Sequence, residues 1–283
     1  MASRRSFVAC ALALGAGLAT LFATATNGAI AAAATSCTKS SLALVHSGQL
    51  TVATDAPAYP PYFENNKPAN GKGFESAVAY AVAAKLGFGA SAVKWTVEPF
   101  DSSYAPGPKS FDFDINEISI TAARAKAVDF SSAYYTNPQA IVVVKGSKYQ
   151  HAATLAALRG ARFGVQVGTT SLSAVTAEIK PTQKPYVYNS SNDVVNGLRN
   201  KNVDAIVVDL ATAFYLTSGE IPHGVVLGQF NAPGGDNWGM LLARHSKLTP
   251  CVDQALAGLR ANGTLASITR RWMQSGAGVP VLK

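Results

Sequence analysis

An α/β fold, with strands alternating with helices, is predicted by three features of this 283-residue chain. Short β-branched runs at Leu50–Thr54, 140–145 and 205–208 are bounded by Gly, Pro or Asp. Between them lie stretches of helical period, the clearest being Phe74, Val78, Val82 and Leu86 at every fourth residue. Hydrophobic residues make up 48% of the sequence, enough for a large core. That excludes a disordered chain or a small disulfide scaffold.

Residues 1–34 are expected to be an export signal. Arg4 and Arg5 form a basic start, 7–25 is an apolar stretch broken by Gly15 and Gly17, and Ala-rich 29–34 offers small residues to a signal peptidase. Ser3-Arg4-Arg5-Ser6-Phe7 resembles a twin-arginine signal, with an ordinary secretory signal as the alternative. The apolar run is short for a membrane span, and no other segment approaches ~20 apolar residues.

Beyond the signal, Leu50–Thr54 reads as a strand and Pro57, Pro60 and Pro61 mark a loop. Residues 74–86 form an apolar stripe widened by Ala77 and Ala81 and stopped by Gly87. Val93–Val97, 111–115 and 140–145 are further strands. A short helix around Leu155 and Leu158, a strand at 162–166 and a Gly-Thr-Thr-Ser turn into another helix follow. Val187, 205–208 and 238–243 supply the remaining strands. Near the end, Thr249 is a candidate cap with Pro250 at the first helical position, and Val252, Ala255, Leu256 and Leu259 share a face up to Gly263. Leu265, Ile268 and Trp272 form a last stripe.

The 24 Lys+Arg outnumber the 16 Asp+Glu, for a net charge of +8. The basic residues are spread along the chain rather than clustered on one segment, so no nucleic-acid partner is expected. Cys10 leaves with the signal, and Cys37 and Cys251 remain in an oxidising compartment, where a disulfide is one reading. A lipidated Cys37 is the other, although Ala34-Thr35-Ser36 lacks the leucine usual three residues upstream. The sequence has no Gly-x-Ser-x-Gly elbow, Walker loop, His-Glu-x-x-His or Cys-x-x-Cys, and its four histidines have no ligand-like spacing. No metal and no cofactor are therefore expected.

Several segments then fall in a telling order: Thr54-Asp55-Ala56 with Tyr59-Pro60-Pro61-Tyr62, Gly73-Phe74, FDINEISITAARAKAVDFSSAYY at 113–135, GVQVGTTS at 164–171, DAIVVD at 204–209, Trp238-Gly239 and Asn262-Gly263-Thr264-Leu265. Together they resemble the polar amino-acid family of extracytoplasmic solute-binding proteins (family 3 type), the receptors of bacterial ABC importers. The resemblance covers nearly all of the chain after the signal. It implies a two-lobed periplasmic-binding-protein fold with a hinge and an interlobe ligand cleft, with 35–135 and 238–283 in lobe 1 and 136–237 in lobe 2. It also places Cys251 at the start of a helix in the lobe that holds Cys37, where a disulfide would pin the mature N-terminus.

The resemblance further implies roles for single residues. A zwitterion needs a cation for its carboxylate and acceptors for its ammonium. Arg124 stands at the family's carboxylate-binding arginine, Thr169 and Thr170 would add backbone donors, Asp209 would hold the ammonium, and Ser119 would be a neighbouring hydroxyl acceptor. Tyr59 and Phe100 would flank the ligand, and Asp55 would reach toward its far end. Taken one at a time, each has a plainer reading as a solvated, capping or core residue. Glu117 departs from the family, which usually carries a small or uncharged polar residue there.

The function implied is a non-catalytic, monomeric receptor. It is exported to the periplasm or the outer face of the cell membrane, captures a polar amino acid and delivers it to the importer's permease. Counting charges leaves Asp55 and Glu117 unbalanced, so either a carboxyl takes up a proton or a cationic ligand side chain supplies the balance, and the second outcome favours arginine, lysine or a related basic amino acid. The alternative is a periplasmic, dehydratase-like enzyme on the same fold, with Glu117 as general acid or base.

Overall fold

The computed structural model describes residues 36–273 and 278–283. The export signal expected at 1–34 lies outside them. In chain order the strands are β1 (Leu50–Thr54), β2 (Val93–Val97), β3 (Phe113–Asp114), β4 (Asp129–Phe130), β5 (Tyr135–Thr136), β6 (Gln139–Val144), β7 (Phe163–Gln166), β8 (Tyr186–Tyr188), β9 (Ala205–Asp209), β10 (Gly224–Phe230), β11 (Asn237–Trp238) and β12 (Leu241–Leu242). The helices are α1 (Phe74–Lys85), α2 (Phe100–Ser103), α3 (Thr170–Ala174), α4 (Ser191–Arg199), α5 (Leu210–Tyr215), α6 (Thr249–Ala261) and α7 (Thr264–Trp272).

Two five-stranded sheets organise the chain, in the orders β2-β1-β3-β12-β4 and β10-β6-β9-β7-β8. In the first, β1 runs parallel to β2 and β3, while β12 is antiparallel to β3 and β4. All five residues of β1 are buried, as befits a central parallel strand covered on both faces. Its core joins Leu50 and Val52 to Phe74, Val78 and Val82 of α1 and to Val252, Leu256 and Leu259 of α6. In the second sheet, β6 sends Ile141 and Val143 into one apolar cluster and Ala140 and Val142 into another. Two covered faces account for its unbroken apolar run.

The chain leaves the first sheet through β5 and returns through β11, and these two segments pair antiparallel as a separate ribbon. Two paired crossings between two sheets make a hinge in a two-lobed molecule.

Cys37 and Cys251 form a disulfide with their Cα atoms 5.3 Å apart, which replaces the lipidated reading of Cys37. The strand expected at 111–115 contracts to β3, and the run at 238–243 divides between the ribbon and the first sheet. Thr249 is not the cap of α6; Leu248 holds that position, and Thr249 opens the helix. The end of the chain also departs from its expected lobe. Leu282 is buried among Ile141, Phe163 and Phe230 of the second sheet, and Gln229 N–H donates to Pro280 O at 2.8 Å. The absent side chain of Gly228 makes the room, since a Cβ there would stand 2.5 Å from Leu282 Cγ. Residues 279–283 therefore follow their apolar side chain to the second sheet.

Candidate functional site

A cavity of about 430 Å³ lies between the two sheets' loops. Asp55, Tyr59, Phe100, Glu117 and Ser119 line it from one side, and Thr169, Thr170 and Asp209 from the other. These positions follow from the topology: Asp55 succeeds β1, Glu117 and Ser119 succeed β3, Thr169 and Thr170 succeed β7, and Asp209 ends β9. Each stands at the carboxyl end of a strand in a parallel pairing, where open α/β sheets leave a crevice.

Arg124 sits differently from the other eight expected residues. It does not line the cavity; it is 8% exposed and lies at the seam behind it. Its Nη1 donates to Ser119 O and its Nη2 to Gly168 O, both at 2.9 Å. Its guanidinium centre stands 4.6 Å from the Tyr104 ring centroid and 5.3 Å from that of Phe100, within cation–π range. Gly168 turns here with φ 72°, and a Cβ would meet Tyr104 Oη at 2.3 Å, so the carbonyl reaches Arg124 only because the residue is glycine.

Other bonds cross the same seam. The Tyr59 hydroxyl donates to Asn192 Oδ1. Tyr62 Oη and Thr212 Oγ1 are 2.9 Å apart, and Ser119 Oγ and Thr170 Oγ1 are 3.2 Å apart. Thr169 caps α3 by accepting from Leu172 N–H, and its own hydroxyl donates to Gln166 O at 2.8 Å.

The acids carry the electrostatics. Asp209 Oδ1 accepts from Asn137 Nδ2 at 2.9 Å and Gln139 Nε2 at 2.8 Å, yet burial and the nearby Asp236 hold its carboxyl well above the usual range. Asp236 shares Gln139 Nε2, at 2.6 Å, and accepts from the Thr170 hydroxyl at 3.2 Å. Burial also raises Asp55. Glu117 is pushed well above the carboxylate range by burial and then by Glu75.

Sequence reasoning missed several residues of this site. Asp101, Asn192, Tyr215 and Glu220 line the cavity, and the Tyr215 hydroxyl donates to Glu220 Oε1 at 2.8 Å. The Tyr59 and Tyr215 rings face one another across the cleft with centroids 6.1 Å apart. No spacing rule singles these residues out. Among the described lining residues there are five carboxylates, Asp55, Asp101, Glu117, Asp209 and Glu220, and no Lys, Arg or His.

Known proteins share this architecture. The chain is 28% identical over 218 residues to the arginine-binding extracellular protein ArtP of Bacillus subtilis (strain 168), covering 74% of this chain and 81% of that one. It is 29% identical over 167 residues to ABC transporter arginine-binding protein 1 of Escherichia coli (strain K12), covering 58% and 67%. The solved structure of an ancestral arginine-binding protein bound to arginine superposes with a TM-score of 0.66 at 30% identity, covering 80% of this chain and 99% of that one. Residues 50–275 match the bacterial extracellular solute-binding proteins, family 3, and the chain belongs to that family.

Proposed function

We propose that this protein captures a cationic amino acid of the arginine type outside the cytoplasm and delivers it to the permease of an ABC importer. The observation that carries this reading is the cavity wall, with five carboxylates, no basic side chain among its described residues, and the aromatic rings of Tyr59, Phe100 and Tyr215. A cation with a flat apolar body gains from both the charge and the ring faces. The named binders of arginine among the relatives support the same class.

In this reading the ligand ammonium lies toward Asp209, Ser119 and Glu117, and the side-chain cation lies between Tyr59 and Phe100 toward Asp55. The carboxylate lies at the seam, near Thr169, Thr170 and Arg124, where it displaces the Gly168 carbonyl from the guanidinium. Two of the five guanidinium N–H donors are engaged by carbonyls, which leaves capacity for an anion. Closure of the lobes over the ligand then presents both to the permease. Among the described residues, no helix is long and apolar enough to cross a membrane.

Competition calorimetry at neutral pH with arginine, lysine, glutamine and glutamate tests the assignment. Arginine should bind most tightly and glutamate least; preference for glutamate would overturn it. The reading is also non-catalytic, so mass spectrometry should recover the bound amino acid unchanged after prolonged incubation. Conversion of the ligand would favour the enzyme alternative instead.

A further inference from the structure

Glu117 is a non-glycine residue held in the left-handed backbone region, at φ 47°, a conformation that persists only where its surroundings demand it. Here the turn aims its N–H at Glu75 Oε1, 2.7 Å away. The same oxygen accepts from the Tyr134 hydroxyl. Glu75 itself, in the first turn of α1, is 0% exposed. Its second oxygen, Oε2, has no donor among the described residues, and the backbone bond from Glu117 sets the two side chains beside one another, so that each carboxyl acts on the other's proton affinity.

Two carboxylates are acceptors only, so a fully buried Glu75 beside a half-buried Glu117 is relieved by one proton held on the pair. Its position on the pair follows from the partners. Glu75 receives a backbone N–H and a phenolic O–H, both of which favour its charged form. Glu117 lines the cavity and is the member left to carry the proton. The other titratable groups that face Glu117 are Asp209 at the end of β9, Asp55 after β1, and the Tyr62 and Tyr134 hydroxyls, with Asp114 beyond Glu75. Among the described residues these are all acids, and Arg124 at the seam acts on Asp209 rather than on Glu117, so the cation that balances Glu117 arrives with the ligand.

We infer that Glu117 is a specificity-determining residue that binds by proton exchange: it rests as a neutral carboxyl against Glu75, and an ammonium entering the cleft displaces that proton to solvent. One cation enters and one proton leaves, so the charge buried in the cleft does not rise. Burial raises Glu75 to about 7 against the hydrogen bonds that favour its charged form, and burial and then Glu75 push Glu117 well above its usual range, which agrees with a proton held at neutral pH. A ligand without an ammonium cannot drive the exchange and leaves Glu117 protonated. This inference rests on the amino-acid reading above, but it requires only the α-ammonium, not a basic side chain.

Calorimetry with arginine at pH 7, in phosphate and in Tris, reads the protons released from the difference in buffer ionisation heat. About one proton should leave per ligand bound, and the association constant should rise by up to about tenfold per pH unit in that range. Glu117→Gln should release correspondingly fewer protons and flatten the pH dependence. If arginine fails to bind and glutamine binds, the ligand assignment above falls, and proton release is then read with glutamine. No release by wild-type protein with whichever amino acid binds, or equal release by Glu117→Gln, would overturn the exchange. Infrared difference spectra at pH 7 give a ligand-free check: the protonated-carboxyl absorption of wild type, to which Asp114 and Asp209 also contribute, should fall by one carboxyl in Glu117→Gln, and equal absorption in the two proteins would also overturn it. Glu75→Gln, which removes the other partner, should abolish the release in the same way if Glu117→Gln does not fold.

Discussion

Asp114 and Arg124 show how differently two buried charges can be treated in one lobe. Asp114 is 0% exposed, and neither of its carboxylate oxygens has a partner among the described residues. Its neighbours across the sheet are Ala53 and Leu241, and burial drives its carboxyl well above the carboxylate range. Asp112, two residues earlier, accepts from Thr51 N–H at 2.6 Å and Val45 N–H at 2.8 Å. An acid without such partners weakens the fold, so Asp114→Val should raise the urea midpoint at pH 7, by about 1–3 kcal/mol in stability. An unchanged or lowered midpoint would mean that Asp114 has partners it needs. Arg124 donates to two carbonyls and lies against two rings with donors to spare, and its removal leaves the Gly168 carbonyl and the proposed ligand carboxylate without their cation. Arg124→Ala should cost about 2–5 kcal/mol in ligand binding, roughly thirtyfold or more, with the far-ultraviolet circular dichroism unchanged. Near wild-type affinity in calorimetry would remove Arg124 from the site. Sequence reasoning found Arg124 through its motif but not its place behind the cavity, because the carbonyl that holds it comes from a residue 44 positions away.

The elements divide by how local their signals are. α1 was legible because Phe74, Val78 and Val82 repeat at the helical period and all three are buried. α4 was not, because its first turn is polar and it carries Gly197 in its interior; it begins where Ser190 accepts from Asp193 N–H at 3.2 Å, a cap that also reads as a turn. β10 escaped for a related reason, since glycines at 224 and 228 interrupt its apolar run. At this scale the disulfide makes a separable prediction. It ties Cys37 to α6 across a sequence separation of 214, so the chain-entropy model gives about 5 kcal/mol of stabilisation. Neither cysteine lines the cavity. Cys37→Ser with Cys251→Ser should therefore lower the melting temperature while leaving ligand affinity, measured well below that melt, within twofold or so of wild type. A large loss of affinity would mean that the bond also sets the shape of the cleft.

Over the whole molecule the buried acids set the response to pH. Glu75 rises to about 7 from 4.5, chiefly by burial, and Asp114, Glu117 and Asp209 lie well above their ordinary values for the same first reason. Well below the unfolded values of 3.8 and 4.5 these groups are protonated in both folded and unfolded chains and contribute no difference. As pH rises past the unfolded values, the unfolded chain ionises while the folded one keeps its protons, so stability falls. For Glu75, which ionises at about 7 while Glu117 beside it still holds its proton, that loss ends near pH 7, and for the other three it runs higher. Asp204, lowered by Arg162, acts in the opposite sense, but its contribution is lost only in stronger acid. The ligand-free protein should therefore melt at a higher temperature at pH 5 than at pH 8. A melting temperature that climbs across that interval would show that these acids are ionised in the folded state.

Local periodicity and strand ends carry the α/β alternation, the family, and the residues that succeed β1, β2, β3, β7 and β9 at the mouth of the cleft. A residue at the carboxyl end of a parallel strand is placed there by its own strand, and eight of the nine expected ligand residues line the cavity for that reason. Which groups oppose one another is set by long-range packing that no local pattern carries. Glu75 meets Glu117 across 42 positions, Tyr59 meets Asn192 across 133, and the last residues cross to the second sheet to bury Leu282. Such pairings depend on how two sheets and a hinge bring distant loops together, and the proton state of a carboxyl is set by whichever acid ends up against it.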